Sequence, residues 1–419
     1  MNYGRLTSLR VAMALGAGLS LVAMQPAVAK EKKPAPVVKE APPKFSPAFQ
    51  KAAGPIQVAL TAKNNEGAKA AITAAEPLAS TPDDKYYLGA FRLQLGGSLS
   101  DRPMQTVALK EMLASGSSKM KQEDVSKYKR ALGVWAFDDK DYAGSITLLT
   151  EAEAAGARDG DMFIRLSDAY SRVKQIPASL GAAEKAIAAA TANGEKAPDN
   201  WYFVTRQRAY QAGMAADTAE WSRKLVRAYP TTDNLHDMPA FYINVARPDD
   251  RPRFDLFRLM REMKAMKASS EYLELADLAL RLRFPGEALA VLEEGYAAGV
   301  INTGSQQGKD LKTTASAQLA ADKASLAGSE KLAQNRPTGS VAQNVGDAYL
   351  GYGDNAKAIS LYALAKSKGG IDADELNTHL GIAHLRAGQK AEAIAAFSAV
   401  GGARAEIGKF WKTWAEIKP

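Results

Sequence analysis

Small and large apolar residues recur at fixed distances along the chain. In residues 379–397, "HLGIAHLRAGQKAEAIAAF", Gly381 is followed twelve residues later by Ala393 and sixteen residues later by Phe397. We call these the first small position, the second small position and the large position. The apolar spacing around them is typical of helices, so the stretch predicts two helices joined by a short turn.

The same frame recurs elsewhere in the sequence. Copies lie at Gly346, Ala358 and Tyr362, at Gly133, Ser145 and Leu149, at Ser167 and Ser179, and at Ala276, Ala288 and Leu292, with more degenerate copies starting at Gly89 and Ala59. Gly133 and Ser167 are 34 residues apart, and Gly346 and Gly381 are 35 apart. A constant period of this length predicts an array of helical hairpins.

This frame resembles the tetratricopeptide repeat (TPR), a helix-turn-helix unit with small residues where its helices cross. The resemblance implies an all-α fold: an α-solenoid in which TPR-like hairpins stack into a right-handed superhelix. Gly346 and Gly381 lie inside helical patterns, where Gly costs roughly 1 kcal/mol relative to Ala. Close approach of two helix backbones would offset that cost.

The end of the chain predicts a capping helix. Between residues 404 and 417 the apolar side chains Ile407, Phe410, Trp411, Trp414 and Ile417 are spaced as one helical stripe. The last repeat of a solenoid needs a cover for its exposed apolar face. We therefore assign the two tryptophans to the core.

Two interruptions divide the repeats. Residues 234–253, which include "RPDDRPR", predict a long turn, and residues 302–309, "NTGSQQGK", predict a linker before an Ala-rich helix at 315–333. The expected organisation is an N-terminal TPR-like solenoid at 48–235, a central helical segment at 236–301, and C-terminal TPR-like repeats with the capping helix at 302–419.

The central region carries a second resemblance. "RAYP", "DLFRLM", "EYLELADLAL" and "PGEALAVLEEG" follow one another within residues 227–301. Together they resemble exported TPR proteins that are found alongside TonB energy-transduction systems. The resemblance implies a location in the bacterial envelope.

The N-terminus predicts export. Arg5 and Arg10 precede an apolar run of 14 residues at 11–24, and small residues at 27–29 form a cleavage site, so residues 1–29 read as a signal peptide cleaved after Ala29. The run is too short for the roughly 20 residues that span a bilayer. Residues 30–47 contain five prolines and predict an extended linker.

Composition removes several function classes. The chain has no cysteine, which excludes disulfides, thiol nucleophiles and thiolate metal sites. Its net charge is +8, but the signal peptide holds two unopposed arginines and the linker has an excess of three lysines, which leaves +3 for the rest. A charge this small and dispersed does not predict nucleic-acid binding.

Catalytic and metal motifs are also missing from the sequence. His379 and His384 are five residues apart, so they do not share a helix face, and His236 is isolated. A calcium-loop pattern beginning at Asp139 fails because Thr150 stands where a bidentate Glu is required. We expect no enzyme activity, no cofactor and no bound metal.

The resemblance to TPR proteins implies a groove lined by the first helix of each unit. The groove positions lie three and six residues before the first small position, and one, four and five residues after it. They place in the groove Lys127, Arg130, Phe137 and Arg172, together with Trp201 and Arg208 from a looser unit framed on Tyr210. Arginine favours a partner segment that carries carboxylates.

We therefore expect a non-catalytic periplasmic scaffold or adaptor that binds a protein or peptide in the cell envelope, linked to TonB-type or outer-membrane transport, without stable membrane insertion. Two alternatives stay open. One is a periplasmic chaperone or assembly factor for secreted polysaccharide or outer-membrane proteins, and the other is a hydrolase built on a solenoid.

Overall fold

The computed structural model describes residues 42–192 and 194–418. The predicted signal peptide at 1–29 and residues 30–41 of the predicted linker lie outside the described residues. Residues 45–419 form one compact unit, and of the other unit, 1–44, only the last three residues are described. The described part of the chain contains no strand, so the predicted all-α class is confirmed.

The first ten helices form five consecutive hairpins. They are α1 (Pro47–Thr61), α2 (Asn65–Ala75), α3 (Pro82–Leu99), α4 (Arg102–Ala114), α5 (Gln122–Asp138), α6 (Tyr142–Ala154), α7 (Gly160–Arg172), α8 (Ile176–Ala192), α9 (Asp199–Gln211) and α10 (Ala215–Ala228). A 3₁₀ turn, Glu76–Leu78, follows α2.

The remaining helices begin with a pair that departs from the repeat pattern and continue with further hairpins. They are α11 (Thr232–Ala246), α12 (Asp250–Glu262), α13 (Ser269–Arg281), α14 (Pro285–Ala297), α15 (Gln306–Asn335), α16 (Ser340–Gly351), α17 (Asn355–Lys368), α18 (Ala373–Arg386), α19 (Lys390–Ser398) and α20 (Ala405–Ile417). A second 3₁₀ turn, Gly402–Arg404, precedes α20.

The turns inside the hairpins share one geometry. A residue with left-handed backbone stands two positions before the second helix, as at Lys140 (φ 65°), Gly353 (φ 82°) and Gly388 (φ 78°). The next residue often caps the second helix: the carboxylates of Asp141 and Asp354 accept hydrogen bonds from backbone N–H groups in the first turn. The turn therefore ends one helix and begins the next within three residues.

The packing confirms the repeat frame in three hairpins. A Cβ atom added at Gly133 would stand 2.6 Å from Leu149 Cδ2, one at Gly346 would stand 2.7 Å from Tyr362 Cε1, and one at Gly381 would stand 2.4 Å from Phe397 Cε1. Each glycine thus meets the large residue sixteen positions further on. The hairpins have the packing of tetratricopeptide repeats, and the solenoid prediction is confirmed.

In the hairpin of α7 and α8, hydroxyl groups join the two small positions. Ser167 Oγ donates to the backbone carbonyl of Ser179 at 2.7 Å, and Ser179 Oγ donates to that of Ser167 at 2.8 Å. Both side chains are fully buried. Close backbone approach thus serves packing and also satisfies the buried hydroxyls.

The two degenerate copies of the frame, which were predicted to start at Gly89 and Ala59, do not have the spacing of the other hairpins. A Cβ atom at Gly89 would meet Met112, which is 23 residues away instead of sixteen. In the hairpins that match, the first small position lies nine residues before the second helix begins. For α2 that position is Ile56, not Ala59. The first two hairpins therefore pack in a different register.

The predicted long turn at 234–253 is wrong, because most of it is helical. α11 spans Thr232–Ala246 and includes Pro239, and only 247–249 separate it from α12. The predicted boundary at 235/236 accordingly falls inside α11. The linker at 302–309 is shorter than expected, since α15 begins at Gln306, and the Ala-rich helix at 315–333 is confirmed within the 30 residues of α15.

The C-terminal helix covers more than the last repeat. α20 packs on α19 and α18 as a cap does, and it also packs against α10 and α12. Arg223 on α10 pairs with Glu406 at the start of α20, and Arg227 Nη2 lies 2.9 Å from Glu416 Oε2. The helix therefore joins the end of the chain to its middle.

Candidate partner-binding surface

α12 lies at the centre of the C-terminal half. Seven consecutive residues, Phe254 to Met260, are buried, so the helix has no solvent-facing side. A helix covered on every face packs against neighbours all round. α12 therefore fills the interior that the hairpins around it enclose.

Two arginines at groove positions bind the two ends of α12. On α18, Arg386 donates through Nε to Glu262 at 3.1 Å, and on α13, Arg281 donates through Nη1 to Asp250 at 2.5 Å. Each arginine stands five residues after the first small position of its hairpin. The groove of these hairpins is thus occupied by a helix of the same chain.

Buried charges on α12 are matched by distant elements. Arg258 Nε donates to Glu287 Oε1 of α14 at 2.9 Å, and Arg404 Nη1 donates to Asp255 Oδ2 at 2.6 Å. The indole N–H of Trp411 donates to the backbone carbonyl of Asp255 at 3.2 Å. Buried charges are tolerated only with such hydrogen-bonded partners, so α12 is tied to three other elements.

His379 on α18 sits between two carboxylates of this cluster. Its Nδ1 lies 2.7 Å from Asp347 Oδ1 and its Nε2 lies 3.1 Å from Asp255 Oδ1. Burial alone would lower the pKa of His379, but the two carboxylates outweigh it and raise the pKa to about 10. Burial would raise the pKa of Asp255, whereas His379, Arg404 and Arg258 hold it well below its usual range.

The first helices of the middle hairpins are linked by a ladder of ion pairs. Asp138 on α5 accepts from Arg165 on α7 at 2.9 Å, and Asp168 on α7 pairs with Arg208 on α9. The ladder continues with Arg206 Nη2 on α9 and Asp237 Oδ2 on α11 at 3.1 Å, and with His236 on α11 and Glu271 on α13 at 2.6 Å. These ion pairs link the first helices of successive hairpins.

The structure places four predicted groove residues on α5 and α7. Lys127 is exposed and pairs with Glu123 one turn away, and Arg130 Nε lies 2.7 Å from Asp159 Oδ2 at the start of α7. Phe137 is half-buried with the Arg165 guanidinium 5.1 Å from its ring centre. Arg172 is exposed and its guanidinium lies 6.0 Å from the Tyr142 ring centre. Lys127 and Arg130 therefore already have carboxylate partners.

Trp201 and Arg208 lie in a hairpin whose register differs from the predicted one. Counting nine residues back from the start of α10 gives Arg206 as the first small position, one residue before the position implied by Tyr210. Trp201 packs between repeats, where a Cβ atom at Gly160 would come within 2.9 Å of its ring. Arg208 Nη1 donates to Ser167 Oγ at 2.9 Å. A partner-binding role for these residues stays a prediction.

An aromatic and arginine patch on α9 and α11 was not predicted from the sequence. We call Phe203, Arg206, Tyr210 and Phe241 the α9 patch. Phe203 is 45% exposed, Arg206 is fully buried, and Tyr210 meets Phe241 edge to face at 4.8 Å. The spacing of 203, 206 and 210 puts them on one helix face, but the frame on Tyr210 had assigned other residues to that face.

The described residues contain neither a candidate metal site nor a candidate membrane-spanning helix. No group of three or more His, Cys, Asp or Glu side chains among them could hold a metal ion. No described helix is long and apolar enough to cross a bilayer. In the rejected calcium pattern, Asp141 instead caps α6 through the N–H of Gly144.

Comparison with known proteins adds solved repeat structures but no close relative. No protein-family model and no curated protein matches the sequence. The MamA protein aligns at 13% identity over 52% of this chain and 98% of that chain, with a TM-score of 0.30. The C-terminal part of a TPR repeat-containing protein from Cytophaga hutchinsonii aligns at 13% identity over 63% and 98%, with a TM-score of 0.31.

A tetratricopeptide repeat protein from Parabacteroides merdae aligns at 14% identity over 69% of this chain and 98% of that chain, with a TM-score of 0.26. The type of hairpin is established by the packing of this chain itself, through the glycine and serine contacts at its small positions. The protein is an α-solenoid of TPR-like hairpins whose C-terminal groove is filled by its own helix.

Proposed function

We propose that this chain is a non-catalytic scaffold that binds a protein segment along the first helices of its N-terminal hairpins. One observation carries the proposal. In the C-terminal half the groove positions hold α12, whereas on α9 the side chain of Phe203 is 45% exposed beside a buried arginine. Aromatic and arginine side chains are the residue types that most often anchor protein partners.

The proposed location is the periplasm, and the proposed setting is a TonB-type or outer-membrane transport system. Support for the location comes from Arg5, Arg10 and the short apolar run of the N-terminus, which lies outside the described residues. Support for the setting comes from the resemblance of residues 227–301 to exported TPR proteins found with TonB systems.

A site-specific photo-crosslinking experiment tests the scaffold role. A benzophenone amino acid replaces Phe203 in the full chain, and a control carries it at Val107, which is 48% exposed on α4. Whole bacterial cells that express each variant are irradiated, and the crosslinked proteins are then identified by mass spectrometry. We expect one envelope protein to be crosslinked from position 203 and not from position 107.

Two results would contradict the scaffold role. Equal crosslinking from both positions would show that the α9 patch is not a binding surface. Crosslinking of many unrelated unfolded polypeptides from position 203 would instead favour the periplasmic chaperone.

A further inference from the structure

Arg206 is a buried arginine with unused hydrogen-bond donors. Its side chain is fully buried, and its Nη2 group donates to Asp237 Oδ2 at 3.1 Å. The Nε and Nη1 groups are buried and have no hydrogen-bond partner. A buried donor without an acceptor is unfavourable, so an acceptor brought to this edge of the guanidinium would recover free energy.

Two aromatic rings pack against the Arg206 guanidinium. The Arg206 guanidinium lies 4.1 Å from the ring centre of Phe241 and 5.2 Å from that of Phe203. Phe241 is held by the edge-to-face contact with Tyr210 at 4.8 Å. Phe203 is 45% exposed, so its ring is held less tightly by its neighbours than the ring of Phe241 is.

The charges around Arg206 are already balanced. Asp237 accepts from both Arg206 and His236, whose Nδ1 lies 3.1 Å from Asp237 Oδ1, and His236 also lies 2.6 Å from Glu271 Oε1. The hydrogen bonds that His236 donates to Asp237 and Glu271 raise its pKa to about 9, so it is a cation at neutral pH. Two cations therefore face two carboxylates, and a third carboxylate would leave an unpaired negative charge. A neutral acceptor fits better.

We propose that Arg206 binds a main-chain carbonyl of an extended protein segment, and that the Phe203 ring moves aside and then packs against an apolar side chain of that segment. A peptide carbonyl supplies two lone pairs without adding charge. The inference rests on the proposed scaffold function and names the group that the α9 patch recognises. It differs from the acidic segment that the sequence analysis favoured.

The test uses the full mature chain and two small peptides. The first is N-acetyl-Ala-Phe-Ala amide, which is neutral, and the second is the same peptide with a free C-terminal carboxylate. Binding is followed through the ¹⁵N-¹H resonance of the Arg206 Nε–H group. We expect a saturable shift with the neutral peptide and no tighter binding of the carboxylate form.

Three variants complete the experiment. Phe203→Ala removes an exposed ring, Val107→Ala is its matched exposed control on α4, and Arg206→Lys keeps the charge but removes the fork of donors. We expect Arg206→Lys to weaken peptide binding about ten- to hundredfold, the range that a hydrogen bond to a charged group supports. Phe203→Ala should change the affinity, and Val107→Ala should not.

The Phe203→Ala result stands even when Arg206→Lys fails to fold. Equal affinities for Phe203→Ala and Val107→Ala, or an Arg206 Nε–H resonance that neither peptide shifts, would overturn the inference. Tenfold tighter binding of the carboxylate peptide would overturn it in favour of an anion site. The crosslinked envelope partner could also bind Phe203→Ala and Arg206→Lys with the affinity it has for the parent. That result would support the scaffold function and contradict the carbonyl-binding role of Arg206.

Discussion

At the residue scale, the close packing of the hairpins depends on glycine, which has no Cβ atom, at the first small position. Gly346 and Gly381 lie under the rings of Tyr362 and Phe397, which are almost fully buried. Protein interiors are packed too densely to absorb an added methyl group without displacing neighbours. Glycine is therefore retained inside two helices despite its poor helix propensity.

This predicts opposite effects for the same substitution at two helical glycines. Gly346→Ala should destabilise the protein by about 1–3 kcal/mol, because the new Cβ would lie 2.7 Å from Tyr362 Cε1. Gly328→Ala in α15, where the new Cβ would have nothing within 4 Å apart from the helix's own nearby backbone, should be neutral or stabilising by up to roughly 1 kcal/mol. Urea unfolding measures both. If Gly346→Ala is as stable as the parent, the close packing in that hairpin is wrong.

A second prediction concerns pH. The pKa of His379 is raised from about 6.5 to about 10 by Asp347 and Asp255, so its protonated form stabilises the fold. That contribution is complete below about pH 6.5 and is lost as the pH rises through about 10. The free energy of unfolding should therefore fall between pH 7 and pH 9.5.

Histidine variants test the source of this slope. In His379→Gln the free energy of unfolding should fall less steeply with rising pH. The smaller fall that remains comes from His236, whose pKa is raised to about 9. His384→Gln should keep the decline of the parent, because the His384 side chain bonds only to Gln389 among the described contacts. A His379→Gln protein with the full parental slope would contradict the assignment.

At the scale of elements, α12 and α20 decide how the C-terminal half closes. α12 lies in the groove positions of the surrounding hairpins, and α20 lies across α19, α10 and α12. Trp411, which is fully buried, bonds to the backbone of Asp255 and stacks at 5.7 Å on Phe397. One side chain thus connects the last hairpin to the central helix.

We expect Trp411→Ala to destabilise the protein by about 3–5 kcal/mol, the usual cost of removing a large buried aromatic side chain. Amide hydrogen exchange should also become faster in α12, which is more than 140 residues away in sequence. Trp135→Ala on α5, where the indole is half-buried, is the control and should leave α12 unchanged. Unchanged exchange in α12 of the Trp411→Ala protein would show that α20 caps only the last repeat.

At the scale of the whole molecule, the two halves differ in what their grooves contain. The C-terminal hairpins hold a helix of their own chain, and buried ion pairs fix it there. The first helices of α5–α6, α7–α8 and α9–α10 are instead linked to each other by partly exposed ion pairs. The same repeat therefore builds a closed core in one half, and in the other half it forms the array of hairpins on which we propose that a partner binds.

The proposed periplasmic location makes a prediction about the mature protein. Export and cleavage after Ala29 should give a chain that begins at Lys30, which N-terminal sequencing of the purified periplasmic protein measures. A variant with Asp in place of Ala29 is the control, because it removes the small residue at the cleavage site. Recovery of the parent chain with Met1 intact in the membrane fraction would contradict export by cleavage.

The hairpins could be predicted from the sequence alone, because their constraint is local and periodic. Gly133, Gly346 and Gly381 reveal the frame since a small residue is needed wherever two neighbouring helices cross, and the partners are sixteen residues away. The apolar stripe from Ile407 to Ile417 likewise identified α20. Register failed only where that local rule was relaxed, at Gly89, at Ala59 and in the hairpin that carries Arg206.

What fills the C-terminal groove could be recognised only in the folded chain. The segment "DRPRFDLFRLMRE" reads as a charged helix, yet Asp255 and Arg258 are completely buried. Their burial depends on Glu287, His379 and Arg404, which lie 29 to 149 residues away and neutralise them. No periodicity within a helix encodes partners at such distances, because burial of a charge is decided by the charges that the fold brings to it.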